Sequence, residues 1–136
     1  EHPNCRYEYG VFVMRVEDGK WIEINDDESP GYYGLCNLHL NNPACSGGYQ
    51  QVNDTRTCFS VHQARTTWSN AESICQQESA HLISIHEAET NNAIMVAAYE
   101  YGINDGVHIG LKTNASRNER AWTDGSNFTF SLFASG

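Results

Sequence analysis

Five cysteines, Cys5, Cys36, Cys45, Cys58 and Cys75, are the most reactive groups in the sequence. As thiolates they would be nucleophiles or soft metal ligands; as disulfides they would staple a fold. No two of them form a C-x-x-C pair, so neither a zinc knuckle nor a thioredoxin-type motif is expected. Three Asn-x-Ser/Thr triplets begin at Asn53, Asn114 and Asn127 and mark N-glycosylation acceptors. Scattered cysteines beside three sequons point to an oxidising, glycosylating route, and the protein is expected to be secreted and extracellular. The odd cysteine count leaves one residue over.

Other chemistries find less support. His81, His86 and Glu87 lack H-E-x-x-H spacing, and a lone histidine near a helix start reads as a cap or surface group. There is no G-x-S-x-G elbow, P-loop or paired-carboxylate motif, so no enzymatic activity is expected. Asp26-Asp27-Glu28 reads as a solvated acidic loop. Eight Lys and Arg against 17 Asp and Glu give a formal charge of −9. That balance cannot easily assemble the basic face that nucleic acid or an anionic membrane surface requires, yet it leaves room for a cation such as calcium. No apolar run approaches bilayer-spanning length. The first residue is Glu1 and no leader precedes it, so the chain is expected to be processed or a window of something longer.

One domain of 136 residues must position these groups. Tyr9 to Val16 is a β-branched and aromatic run, Asp18-Gly19 a tight-turn signal, and Lys20 to Ile24 a returning strand. Asn25 to Gly34 reads as loop. A second short hairpin lies between Cys45 and Cys58, with Tyr49 and Val52 on one arm and Phe59 and Val61 on the other. Helical period starts near Thr67: Trp68, Ala71 and Cys75 share one face, with Glu72, Gln76 and Gln77 outward. His81 to Ile85 is a strand-like link, and Ser84 to Glu87 has capping-box spacing. The second helix should bury Ile94, Ala97, Ala98 and Tyr101 and end at Gly102. Gly106 to Leu111 and Ala121 to Thr123 read as strands. Strands, two helices, then strands make an α+β pattern.

Residues 45 to 136 resemble the N-terminal two-thirds of a long-form C-type lectin-like domain. Cys45 and Cys58 bracket its extra hairpin. Trp68-Ser69-Asn70-Ala71-Glu72-Ser73-Ile74-Cys75 is similar to the family's W-x-x-A-E-x-x-C helix, and Ala80 to Ile85 to its A-x-L-x-S-I turn. His108-Ile109-Gly110-Leu111 stands where the family has W-I-G-L, and Trp122-Thr123-Asp124-Gly125-Ser126 resembles W-x-D-G-S. Residues 1 to 36 resemble the family's missing C-terminal piece, its long loop and final strands: Glu1-His2-Pro3-Asn4, Val11 to Met14, Asp18-Gly19, Trp21 and Gly34-Leu35-Cys36. Residues 37 to 44 read as a linker. The order of pieces fits a circular permutant, a window cut out of phase from a tandem array, or a swap between copies that builds a head-to-tail polymer.

The resemblance implies two helices packed on small antiparallel sheets, and disulfides Cys45–Cys58 and Cys36–Cys75 worth roughly 3 and 4 kcal/mol. Cys5 is then the remainder, a free thiol or a link to a neighbour. It also implies a calcium site at Glu1, Asn4, Glu8 and Glu23, with Glu1, Asn4 and Glu8 touching a mannose- or glucose-type sugar. Two departures weigh against this: His2 is inserted before Pro3, and Ile22-Glu23 replaces the Asn-Asp that follows the family's tryptophan. The expected function is a structural or protein-binding unit of an extracellular glycosylated assembly, whose partners are copies of itself or neighbouring repeats. The alternative is calcium-dependent carbohydrate binding.

Overall fold

The computed structural model describes residues 10–24, 31–39, 50–51, 57–62, 64–114 and 119–134. Eight strands and two helices follow the order β1 (Val11–Arg15), β2 (Trp21–Ile24), β3 (Tyr33–His39), β4 (Gln50–Gln51), β5 (Thr57–Val61), α1 (Trp68–Gln77), β6 (His81–Leu82), α2 (Ala88–Glu100), β7 (Gly106–Asn114) and β8 (Glu119–Trp122). The fold is α+β, as expected. The sheet runs β2-β1-β7-β3-β5-β4, with β6 added to β3 and β8 to β7.

The small antiparallel sheets expected from sequence are instead one connected, mixed sheet. β3 runs parallel to β7, with Tyr33 opposite Val107 and Gly34 opposite His108. Every other strand pair is antiparallel. β7 is the hub: β1 pairs along Gly106 to Lys112 on one edge, while on the other β3 pairs at Val107 and His108 and β8 at Leu111 to Asn114. β3 also continues through Asn37, Leu38 and His39, three residues into the expected linker, because those residues pair with Phe59, Cys58 and Thr57 of β5.

The β1–β2 turn forms where Asp18-Gly19 predicts it. Gly19 has φ +73°, and the Asp18 carboxylate accepts from the Lys20 amide at 3.0 Å. α1 starts at the N-cap Thr67, whose hydroxyl accepts from the Asn70 amide. Its buried face is Trp68, Ala71 and Cys75, as the period requires, but Glu72 is buried too, not outward. Its carboxylate accepts from the Leu82 amide at 2.9 Å and from Gln76 Nε2 at 2.8 Å, and meets His81 Nδ1 at 2.6 Å. Those bonds replace its lost hydration.

Nor does the Ser84–Glu87 capping box form: Glu87 is the N-cap of α2 and makes no side-chain cap bond. Ser84 Oγ donates instead to Asp124 Oδ2 at 2.6 Å. α2 buries Ile94, Ala97 and Ala98, whereas Tyr101, expected on that stripe, is the C-cap and is exposed. Gly102 follows with φ +85° and ends the helix.

The larger core cluster joins Phe12, Met14 and Trp21 of the first hairpin to Ile94, Ala98, Ile109 and Trp122. The smaller one surrounds Cys36 and Cys75, which form a disulfide between β3 and α1, with Trp68, Ala71 and Leu82 against it.

Candidate functional site

The β1–β2 hairpin carries Glu23, the only member of the expected calcium set among the described residues. It is exposed, opposite Phe12 of β1. Its carboxylate lies against Gly10 so closely that a Cβ there would collide with it. Glu23 thus stands beside the residue where the segment bearing Glu1, Asn4 and Glu8 enters the hairpin. Those three residues lie outside the described ones. Ile22, between Trp21 and Glu23, is half-buried and offers no oxygen. Calcium takes six to eight oxygen ligands. The described part of the site supplies one carboxylate, so it does not by itself form a calcium cage.

The segment after β8 closes over the same hairpin. Trp122 is buried edge-on to Trp21, with ring centroids 5.5 Å apart. Gly125 has φ +82° and its amide returns to the Trp122 carbonyl at 3.1 Å, making a tight turn. Asp124 holds that turn from inside: it accepts from Ser84 Oγ and, at 2.9 Å, from the Ser126 amide. The Ser126 hydroxyl lies 2.9 Å from His86 Nε2. The chain then reaches back to Trp21, whose amide donates to Leu132 O at 2.8 Å and whose carbonyl accepts from Ala134 at 2.9 Å. The Asp-Gly-Ser motif therefore anchors residues 127–134 against Trp21 of β2, and His86 serves that anchor.

The remaining histidines and cysteines also build the frame. His81 bonds Glu72. His108 is buried edge-on to Tyr32, and its Nε2 donates to the Thr66 carbonyl at 2.8 Å, an acceptor that fixes the proton on that nitrogen. This is what the histidine does where W-I-G-L would place a tryptophan. Cys36, Cys75 and His62 have ligand atoms within 4.8 Å of one another. The two sulfurs are bonded together, so they are not available as thiolate ligands. The expected Cys36–Cys75 pairing is present; Cys58 is disulfide-bonded, while Cys45 and Cys5 lie outside the described residues.

Of the sequons, Asn53 and the Asn114 side chain lie outside the described residues. Asn127 and Thr129 are exposed in an irregular segment.

Two contacts went unread in the sequence. Trp21 Nε1 donates to Asn91 Oδ1 at 2.9 Å, and Asn91 Nδ2 donates to Gly19 O at 3.0 Å, all buried. Asn91 lies three residues before Ile94 and seven before Ala98, on the apolar face of α2; a lone amide there was the available signal. The second contact is Arg65, which donates to Asp105 Oδ2 at 2.8 Å and stands 5.1 Å from the Tyr33 ring. Partial burial pushes the Asp105 carboxyl up, but the Arg65 guanidinium and the Gly106 amide outweigh it and hold the group below its ordinary range.

The Lectin C-type domain family model matches residues 64–134, more than half of the chain. The chain belongs to that family. C-type lectin lectoxin-Lio1 of Erythrolamprus poecilogyrus is 29% identical to this lectin domain over 96 residues, 69% of this chain and 58% of its own. An alpha-N-acetylgalactosamine-specific lectin of Patiria pectinifera is 34% identical over 83 residues, 57% of this chain and 49% of its own. Human lymphocyte antigen 75 is 25% identical over 130 residues, 88% of this chain but 7% of its own. The domain thus spans little more than half the length of the lectoxin it matches. No solved structure matches. C-type lectin domains commonly bind calcium and are generally binding modules rather than enzymes. No helix of the described residues is long and apolar enough to cross a membrane.

Proposed function

We propose that this lectin domain is a secreted structural or protein-binding unit of an extracellular glycosylated assembly, and that its sequence is a window of a tandem array cut out of phase. One observation carries the reading. The lymphocyte antigen 75 match covers 88% of the chain, so it extends well upstream of residue 64, where the family model begins. Strand piece before helix piece is therefore an order also found inside a much longer chain. The pairing of β1 and β3 with β7 supports the same assignment of pieces: the first 39 residues complete the sheet that the last 73 begin. A permuted single domain would use the same contacts. In an array they form between neighbouring windows, and a swap between copies makes the polymer version.

On this reading Cys45 pairs with Cys58, and Cys5 is a free thiol or a covalent link to a neighbour. Glycans sit on Asn53, Asn114 and Asn127. Intact mass of the natural material, before and after deglycosylation, tests it. A mass several times that of one 136-residue unit is expected; one unit plus glycans would overturn the array.

The placement of Glu23 favours calcium-dependent carbohydrate binding as the second reading. Glu1, Asn4, Glu8 and Glu23 would hold the ion, and Glu1, Asn4 and Glu8 the hydroxyls of a mannose- or glucose-type sugar. Calorimetric titration with calcium and then with methyl mannoside checks it on the full chain and on Glu23→Ala. Absence of heat in the unsubstituted chain would end this reading and leave the first untouched.

A further inference from the structure

Four large hydrophobic side chains are exposed among the described residues: Val96 (52%), Tyr99 (73%), Tyr101 (42%) and Phe128 (36%). They fall on two separate faces. Val96 and Tyr99 lie on the outward stripe of α2 with Glu89 and Asn92, at helical spacing, and Tyr101 follows at its end. The only charged residues of α2 are Glu89 and Glu100. The second face is aromatic and basic. Phe128 packs on Trp122 and Phe133, with centroids 6.4 and 6.1 Å apart, and the exposed Arg120 guanidinium stands 4.7 Å from the Phe133 ring.

We propose that the Val96–Tyr99 face of α2 docks onto the Phe128–Arg120 face of a second copy of this lectin domain. This rests on the assembly reading above. Exposed apolar patches with charged rims mark interfaces, and Tyr and Arg are their usual anchors. Charge selects the partner surface. Two α2 faces would bring like charges together, whereas Glu100 against Arg120 is complementary. The faces do not overlap: the Trp122 end of the second abuts His86, just before α2, and Val96 lies about 14 Å further along the helix. Each copy can use both at once, so the contact is heterologous and extends head to tail. Tethered neighbours reach effective concentrations of about a millimolar, so a weak contact suffices in an array.

Because Asn127 adjoins Phe128, a glycan there borders this face, and the test compares the glycosylated chain with a Thr129→Ala chain that lacks the sequon; both should associate, and association of the Thr129→Ala chain alone would overturn the contact. Sedimentation velocity at rising concentration should show reversible association that weakens in 0.5 M salt. Tyr99→Glu, Phe128→Ser and Arg120→Glu should each weaken it at least tenfold, with circular dichroism confirming the fold. Glu100→Lys combined with Arg120→Glu should restore association. A monomer at all concentrations would overturn the proposal, as would association that none of these changes weakens, or cross-links joining Tyr99 to Tyr99. The array is decided by the mass of natural material and the contact by this single unit, so either can fail alone.

Discussion

The Cys36–Cys75 disulfide gives the sharpest quantitative test. The two residues are 39 apart in sequence, and both are fully buried against Trp68, Ala71 and Leu82. Closing a loop of that length removes about 13 cal/mol/K from the unfolded chain in the chain-entropy model, or about 4 kcal/mol at 25 °C. Cys36→Ala with Cys75→Ala loses that term, and the two small voids left by sulfur cost ~1 kcal/mol each. Unfolding entropy near Tm scales to roughly 0.29 kcal/mol/K for 136 residues, so the loop term alone lowers Tm by about 14 °C. Scanning calorimetry of the oxidised chain and the double variant reads this directly, beside a non-reducing gel of the unsubstituted protein. A drop below about 4 °C would refute the reasoning, because a loop of this length cannot be closed without changing the unfolded state. A ladder that persists in Cys5→Ala but is lost in the Cys36→Ala, Cys75→Ala variant would refute it differently, by showing that the bond joins separate chains and closes no loop.

Three further outcomes follow from the contacts. Asn91→Ala leaves the buried Trp21 indole N–H and Gly19 carbonyl without partners and should cost about 1–3 kcal/mol in denaturant unfolding. Glu72→Ala strips the Leu82 amide of a charged acceptor and should cost roughly 1.5–3 kcal/mol, while Gln76→Ala, which keeps that bond, should cost less than about 1. Asp105 has a lowered folded pKa, so its pairing with Arg65 stabilises fully above the ordinary carboxylate range and is lost as pH falls through the folded value. Asp105→Asn should therefore cost at most about 1 kcal/mol at pH 7, since both partners are over a third exposed, and the difference should shrink as pH falls below the ordinary carboxylate range.

Local patterns were legible where neighbours in sequence decide the outcome. The Trp68–Ala71–Cys75 face, the Asp18-Gly19 turn and the Gly102 stop depend on helical period or backbone conformation, and each forms as read. The errors arise where a distant residue takes over. Glu72 is buried because the Leu82 amide and His81 supply what water would. Ser84 leaves its capping role because Asp124, forty residues on, accepts a hydrogen bond from its hydroxyl. β3 outruns its expected end because β5 pairs with polar Asn37 as readily as with an apolar residue; a ladder needs only the backbone. The parallel β3–β7 pairing gave no local signal at all, since it joins segments whose patterns each fit an antiparallel sheet equally well. The metal set was drawn from matched motif positions, and Glu23 is where the hairpin places it.

The β1–β7 ladder also sets a schedule. Val13 pairs with His108, about 95 residues later in the chain. When the 136-residue unit is synthesised alone, at 5–20 residues per second, β1 waits roughly 5 to 20 s for that partner, whereas in an array the partner in the preceding window is already made. During that interval Val11-Phe12-Val13-Met14, wholly buried in the finished fold, is bare apart from the hairpin it makes with β2. A short run of β-branched and aromatic residues held open for that long is a site for chaperone capture or for mispairing with another nascent chain. Shortening the wait, by moving β1–β3 behind β8, should raise soluble yield without altering a single contact.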